Sequence, residues 1–303
     1  MQSIPYLKKG DTVLIITPAK SIDKAYIDKA ISLFSNWGLK VEVGQHALGD
    51  HYYFSGTDEE RAADLQWALN HQTAKAIICA RGGYGTIRIV DLVDFIEFEK
   101  NPKWLVGFSD ITILHNYLHN LQIPSIHGTV PLQFDQLAPD SETLITLQKA
   151  LFGESFEVVF ESSSSNKTGE ANAETVGGNL AILESLIGTD LDIVTDGKIL
   201  FIEEISEYAY KLDRMLWALK KAGKLAHLSG MIVGGLTDIK ECNETFGCTP
   251  QELVSSFVEE FDFPVVFDFP AGHQLDNRAI VLGANYLLSV SSTKTKLTQI
   301  THG

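Results

Sequence analysis

The sequence predicts an α/β protein in two halves. Three observations carry this. Apolar runs of strand length recur along the first half: TVLIIT at 12–17, KAIICA at 75–80 and WLVGF at 104–108. Stretches with helical spacing of apolar residues separate them. One polar break, ESSSSNKTGEANAE at 161–174, divides the chain. Strand, helix, strand, helix in series implies parallel pairing and a wound α/β layer. At ~150 residues per domain, 303 residues fit two domains.

The elements follow in order. After the strand at 12–17, Ala30, Ile31, Leu33 and Phe34 mark a helix over 22–36, and 41–43 forms a short strand. Thr57 and Glu60 have capping-box spacing, and the helix they start puts Ala62, Leu65 and Leu69 on one face. The strand at 75–80 comes next, then the strand at 104–108 and a helix over 110–121. The serine-rich segment 161–174 has too little apolar content to pack a core and reads as a linker or surface loop, with a hairpin tip as the alternative. The domains expected are therefore 1–160, a linker at 161–174, and 175–303. Beyond the break come a helix over 179–187, a strand at 198–202, an amphipathic helix over 209–222, a strand at 230–234, a helix over 250–261, and strands at 265–267 and 286–290.

Composition narrows the function. Hydrophobic residues make up 45% and charged residues 21%, ordinary for a globular chain and unlike disordered or collagenous sequence. The formal net charge of −15 argues against a nucleic-acid binder. Three cysteines without regular spacing, Cys79, Cys242 and Cys248, form no disulfide framework, which points to a reducing compartment. The N-terminal residues lack the pattern of a signal peptide, and no apolar stretch is long enough to cross a membrane. A cytoplasmic location is expected.

Four clusters could carry chemistry. In Ala80-Arg81-Gly82-Gly83-Tyr84-Gly85, directly after a strand, glycines let backbone amides approach a ligand, as a phosphate cradle, an oxyanion hole, or simply a tight turn. Gly107-Phe108-Ser109-Asp110 lies at a strand-to-helix junction. It has the setting of a nucleophile elbow, although Ile111 replaces the second glycine of G-x-S-x-G, and equally that of a plain N-cap. Glu203 and Glu204 end an apolar strand, and because neighbouring strand residues face opposite ways, at most one faces a shared site. His273, in Pro-Ala-Gly-His, has the most loop-like setting of nine histidines and a side-chain pKa suited to general-base work. His115 and His119 share a helix face without the zinc-peptidase pattern and read as packing or solvated residues, while His127 could line a pocket. Cys79 reads as a buried free thiol.

Taken in series, ARGGYG at 80–85, GFSD at 107–110, GGNL at 177–180, ILFIEE at 199–204 and AGH at 271–273 resemble the LD-carboxypeptidase family of serine peptidases, which includes murein tetrapeptide carboxypeptidases and microcin self-immunity peptidases. The resemblance runs from TPA at 17–19 to AGH. It implies a wound N-terminal α/β domain, a C-terminal domain rich in β structure, an active site at their interface, and a homodimer. It also implies a catalytic Ser109, Glu203 and His273, with Glu203 rather than Glu204 as the acid, and oxyanion donors from the backbone amides of Gly83 and Asp110. No metal or cofactor is implied. The implied substrate is a peptide ending in a D-amino acid, as in D-alanine release during cell-wall recycling. Its terminal carboxylate calls for a cation or amide donors. Arg81 is one candidate, or else pairs with a structural carboxylate. Asn179 either bonds substrate or caps the following helix.

Two other readings are open. Microcin-type immunity peptidases share the catalytic set but stack an aromatic loop residue on a nucleobase. Segment 161–174 carries no aromatic residue, which favours the murein reading. A non-catalytic module binding an anionic ligand through the glycine-rich turn is the alternative of another class.

Overall fold

A computed structural model describes residues 1–300. The described chain forms two compact units, one from residues 1–154 with 278–281, the other from 155–277 with 282–300.

In the first unit the chain runs β1 (Thr12–Ile16), α1 (Lys24–Asn36), β2 (Lys40–Val43), α2 (Asp58–Asn70), β3 (Ala76–Cys79), α3 (Ile96–Lys100), β4 (Trp104–Gly107), α4 (Thr112–Asn120), β5 (Ser125–His127) and α5 (Glu142–Phe152). The second runs β6 (Glu157–Glu161), β7 (Gly169–Asn179), α6 (Leu180–Ser185), β8 (Ile199–Ile205), α7 (Ala209–Lys221), β9 (Gly230–Thr237), α8 (Pro250–Val258) and β10 (Val265–Val266). Then β11 (Ile280–Leu282) joins the first sheet, and β12 (Asn285–Val290) and β13 (Lys294–Gln299) return to the second.

The first sheet has the order β11-β5-β4-β3-β1-β2. Pairs β1–β2, β1–β3, β3–β4 and β4–β5 are parallel. Strands β3 and β4 are buried at every residue, and β1 at all but its first. Burial on both faces is the physical reason their sequences are apolar without alternation. The chain winds outward from β1 to β2, returns to β3, and then winds the other way. The strand order therefore reverses between β1 and β3, and open α/β sheets bind ligands at the carboxyl edge there.

The second sheet has the order β10-β9-β8-β7-β12-β13-β6. It is parallel from β7 to β10 and antiparallel from β7 through β12 and β13 to β6. Leu212, Leu216 and Leu219 of α7 and Leu253, Val254 and Phe257 of α8 pack with Leu200, Ile202, Met231 and Val233 of the parallel strands.

Two expectations change. Segment 161–174 is not a linker between domains: β6 closes at Glu161, β7 opens at Gly169, and both lie in one sheet. Along β7 the exposed Glu170 and Asn172 alternate with buried Ala171 and Ala173. Ala171 and Ala173 pair with Leu288 and Tyr286, whose larger side chains supply the apolar bulk. The strand expected at 198–202 extends to Ile205, so Glu203 and Glu204 are buried residues inside the strand rather than residues beyond its end.

The capping box is present as expected: Glu60 N donates to Thr57 Oγ1 over 3.3 Å, and Thr57 N to Glu60 Oε2 over 2.9 Å. Among the described residues no helix is long and apolar enough to cross a membrane, and no cluster of three or more His, Cys, Asp or Glu could hold a metal ion.

Candidate active site

Ser109 follows β4 by two residues, at the carboxyl edge of the first sheet. Its φ is +66°, in the left-handed region that L side chains avoid. Ser109 is not the N-cap of α4: that place belongs to Ile111, which makes no side-chain cap bond. The plain-cap reading is therefore set aside, and a strained elbow takes its place. Such strain costs on the order of 1–3 kcal/mol and persists only where surrounding structure enforces it.

Three contacts enforce it. A Cβ on Gly107 would lie 2.7 Å from Ile111 Cγ2, so glycine two residues before the serine lets Ile111 fold back over the strand end. That is why the elbow tolerates Ile111 where G-x-S-x-G has its second glycine. A Cβ on Gly82 would lie 2.9 Å from Ser109 Cβ and 3.1 Å from its Oγ, so the glycine-rich turn comes up against the serine. Beneath the elbow, His115 Nε2 bonds the Gly107 carbonyl over 3.0 Å, and its Nδ1 bonds Ser125 Oγ over 2.8 Å.

Burial pushes the His115 pKa down to about 4, with the Gly107 carbonyl opposing. The ring is therefore neutral at neutral pH, with Nε2 donating to the carbonyl. Between pH 6.5 and 4 the unfolded chain binds the proton that the folded ring excludes, so stability falls as pH falls through this window. A shift of that size corresponds to about 3 kcal/mol. Denaturant titrations at pH 7 and pH 4 are expected to show it, and His115→Gln should flatten the pH dependence while lowering stability at pH 7.

Asp110 is buried, and its Oδ2 accepts from Thr86 N at 2.8 Å and from Thr86 Oγ1 at 2.6 Å. Burial raises its pKa, while the Thr86 donors and the Arg61 charge pull it back. The carboxylate ties the elbow to the far end of the glycine-rich turn. Arg61, buried under the same turn, donates to the carbonyls of Gly85 (3.0 Å) and Pro18 (2.6 Å) and pairs with Asp58. Arg81 is half-buried, and its Nη1 donates to the Ser21 carbonyl over 3.0 Å. Cys79 is a buried free thiol whose pKa burial raises, which leaves it inert.

In the second unit, His273 Nδ1 and Glu203 Oε2 are 2.7 Å apart, and the His273 backbone N–H donates to the same oxygen over 3.2 Å. Glu203 is fully buried. Burial alone would lower the His273 pKa, but the hydrogen bond and charge of Glu203, with the charge of Glu204, outweigh it and raise the net value.

The loop reaches Glu203 because Gly272 has φ +100° and no side chain: a Cβ there would lie 2.7 Å from Glu203 Cβ and 2.8 Å from Oε2. Asn277 Oδ1 accepts the Gly272 N–H over 2.8 Å. Gly272→Ala is expected to lower stability by at least about 1–3 kcal/mol and to open the Glu203–His273 pair. Thermal denaturation and the histidine's NMR titration would read the two effects.

Glu204 faces away from this pair, as strand alternation requires. It accepts from Ala181 N (2.7 Å), Ile205 N (2.8 Å) and Asn179 Nδ2 (3.1 Å). Burial pushes its pKa up to about 7. Asn179 Oδ1 caps α6 by accepting from Ile182 N over 3.2 Å, so the cap alternative describes this residue's local bonding. From sequence alone Thr86 and Arg61 have no role and His115 reads as a packing or solvated residue, because the bonds by which they hold the site (His115 to Gly107, Thr86 to Asp110, Arg61 to Gly85 and Pro18) span 8 to 43 residues, beyond any local pattern.

Residues 13–128 match the LD-carboxypeptidase N-terminal domain, and residues 172–288 the LD-carboxypeptidase C-terminal domain. A protein of Bacillus subtilis, described as a probable murein peptide carboxypeptidase, is 35% identical over 292 residues, covering 94% of this chain and 91% of the relative. The crystal structure of a muramoyltetrapeptide carboxypeptidase from Oxalobacter formigenes superposes with a TM-score of 0.86 at 26% identity, covering 96% of this chain and 99% of that one. The microcin self-immunity protein MccF in complex with aspartyl sulfamoyl adenosine gives a TM-score of 0.86 at 19% identity, covering 98% of each chain, a likeness of fold alone. Both domain matches, in order along one chain, and the identity across nearly its whole length show that this protein belongs to the LD-carboxypeptidase family of serine-type carboxypeptidases.

Proposed function

We propose that this protein hydrolyses the amide between an L-centre and a C-terminal D-amino acid, releasing D-alanine from murein tetrapeptide in cell-wall recycling. The observation that carries the reading is the buried Glu203 bonded to His273 Nδ1 over 2.7 Å, in a family of serine peptidases. A carboxylate on Nδ1 fixes the tautomer in which Nε2 accepts a proton, and it stabilises the imidazolium that follows.

In this reading His273 Nε2 takes the Ser109 proton as Oγ attacks the scissile carbonyl. The backbone amides of Gly83 and Asp110 hold the oxyanion, one such donor contributing about 3–4 kcal/mol to the transition state. His273 then protonates the departing D-amino acid, and water activated by the same ring hydrolyses the acyl-enzyme. Support comes from the strained elbow at Ser109, the tight approach of the glycine-rich turn to it, and the murein-peptide descriptions of the relatives. The same reading carries a cytoplasmic homodimer, checked by fractionation and by light scattering on the purified protein.

The deciding experiment offers the purified protein an LD-tetrapeptide and, separately, an aminoacyl sulfamoyl adenylate. Release of D-alanine is expected. Cleavage of the adenylate alone would move the assignment to the immunity-type activity. Inertness toward both, with tight binding of an anion, would favour the non-catalytic module.

A further inference from the structure

We propose that Lys20 receives the terminal carboxylate of the substrate and so makes the protein a carboxypeptidase rather than an internal peptidase. The inference rests on the reading of Ser109 as nucleophile. A C-terminal residue carries its carboxylate three bonds from the scissile carbonyl carbon, hence within ~4 Å of it. The receiving cation must therefore stand beside the turn that supplies the oxyanion donor.

Lys20 meets that condition. It lies four residues beyond β1, and Gly83 lies four residues beyond β3. These neighbouring parallel strands flank the point where the strand order reverses, so both residues stand at the crevice where such sheets take ligands. A Cβ on Gly83 would lie 2.8 Å from Lys20 Cβ and 3.5 Å from Lys20 Cδ, so the bare backbone of Gly83 is what admits the lysine stem. Gly82, the preceding residue, makes the corresponding approach to Ser109. Lysine and serine thus flank successive residues of one turn.

The charge is held and available. Lys20 Nζ lies 4.9 Å from the centroid of the Tyr53 ring, and the Tyr53 hydroxyl comes within 3.5 Å of the same Gly83 position. The ring restrains the side chain without neutralising it. Among the described residues no carboxylate forms an ion pair with Lys20. The other cations beside this turn are committed: Arg61 and Arg88 share Asp58, and Arg81 donates to the Ser21 carbonyl. A half-buried ammonium with an aromatic support and no counter-ion, next to an oxyanion donor, is suited to an anionic substrate group.

The test compares matched peptides ending in D-alanine as the free carboxylate or as the carboxamide. Lys20→Met is expected to lower kcat/KM for the carboxylate about 10- to 100-fold, chiefly through KM. Its activity on the carboxamide should stay near wild type, and Lys20→Arg should restore most of the preference. Labelling of Ser109 by a fluorophosphonate at the wild-type rate shows that the variant is folded. A Lys20→Met enzyme that still prefers the carboxylate as strongly as wild type overturns the proposal, and so does transfer of the effect to Arg81→Met. In the wild-type protein, where folding is not at issue, N-acetyl-D-alanine should slow acetylation of Lys20 and its amide should not; equal reactivity also overturns it. Failure of the underlying reading looks different: Ser109→Ala would then cleave both peptides at the wild-type rate, whatever stands at position 20.

Discussion

Ser109→Ala is expected to lower turnover of an LD-peptide by about 10⁴- to 10⁶-fold, with KM little changed and the fold intact. The size follows from the role proposed for Ser109: without the hydroxyl the proposed acyl-enzyme could not form, and what would remain is catalysis by positioning and oxyanion stabilisation. The fold should survive because alanine keeps the Cβ that packs against Gly82 and bears the same positive φ. Steady-state kinetics, a melting curve and loss of fluorophosphonate labelling check the three parts. A variant that turns over normally would remove Ser109 from the mechanism.

Glu203→Gln is the second large effect, on the order of 10⁴-fold in kcat, because the amide leaves the imidazole in the wrong tautomer while preserving shape. Its pH dependence carries a separate signature. In the proposed mechanism His273 is the base and must be neutral, so activity is expected to fall as pH drops through its pKa. Glu203 holds that pKa above its ordinary value. The acidic limb of the wild-type kcat/KM profile is therefore expected above pH ~6.5. In Glu203→Gln the raising hydrogen bond and charge are gone while burial still lowers the pKa, so the limb should move to lower pH. A limb that stays in place would mean that another group controls it. Glu204, pushed up to about 7 by burial, titrates nearby; Glu204→Gln distinguishes its contribution.

Different parts of the fold were legible to different degrees. β1, β3 and β4 could be read because burial on both faces leaves continuous apolar runs, and α2 because a capping box is a local pattern. β7 was misread because its buried residues within 161–174, Ala171 and Ala173, are alanines; its apolar bulk belongs to β12, more than a hundred residues on. β8 was expected to stop at 202 because two successive glutamates belong in a buried strand only when partners satisfy their carboxylates, and those partners are supplied by the tertiary structure. Ser109 and the glycine-rich turn could be named as candidates from local sequence, but the choice between elbow and cap required a backbone angle.

The order of apolar runs, and the glycines, serine, glutamates and histidine at their ends, determined by themselves the α/β class, the family and the candidate residues, since these depend on neighbours within a few positions. Only the tertiary structure decided that Glu203 bonds His273 while Glu204 holds Asn179, that Asp110 clamps Thr86, and that Lys20 stands against Gly83. Those pairings join residues from 24 to 70 positions apart. They are set by which strands lie side by side and by where a missing Cβ lets chains approach, a spatial condition that no stretch of sequence contains.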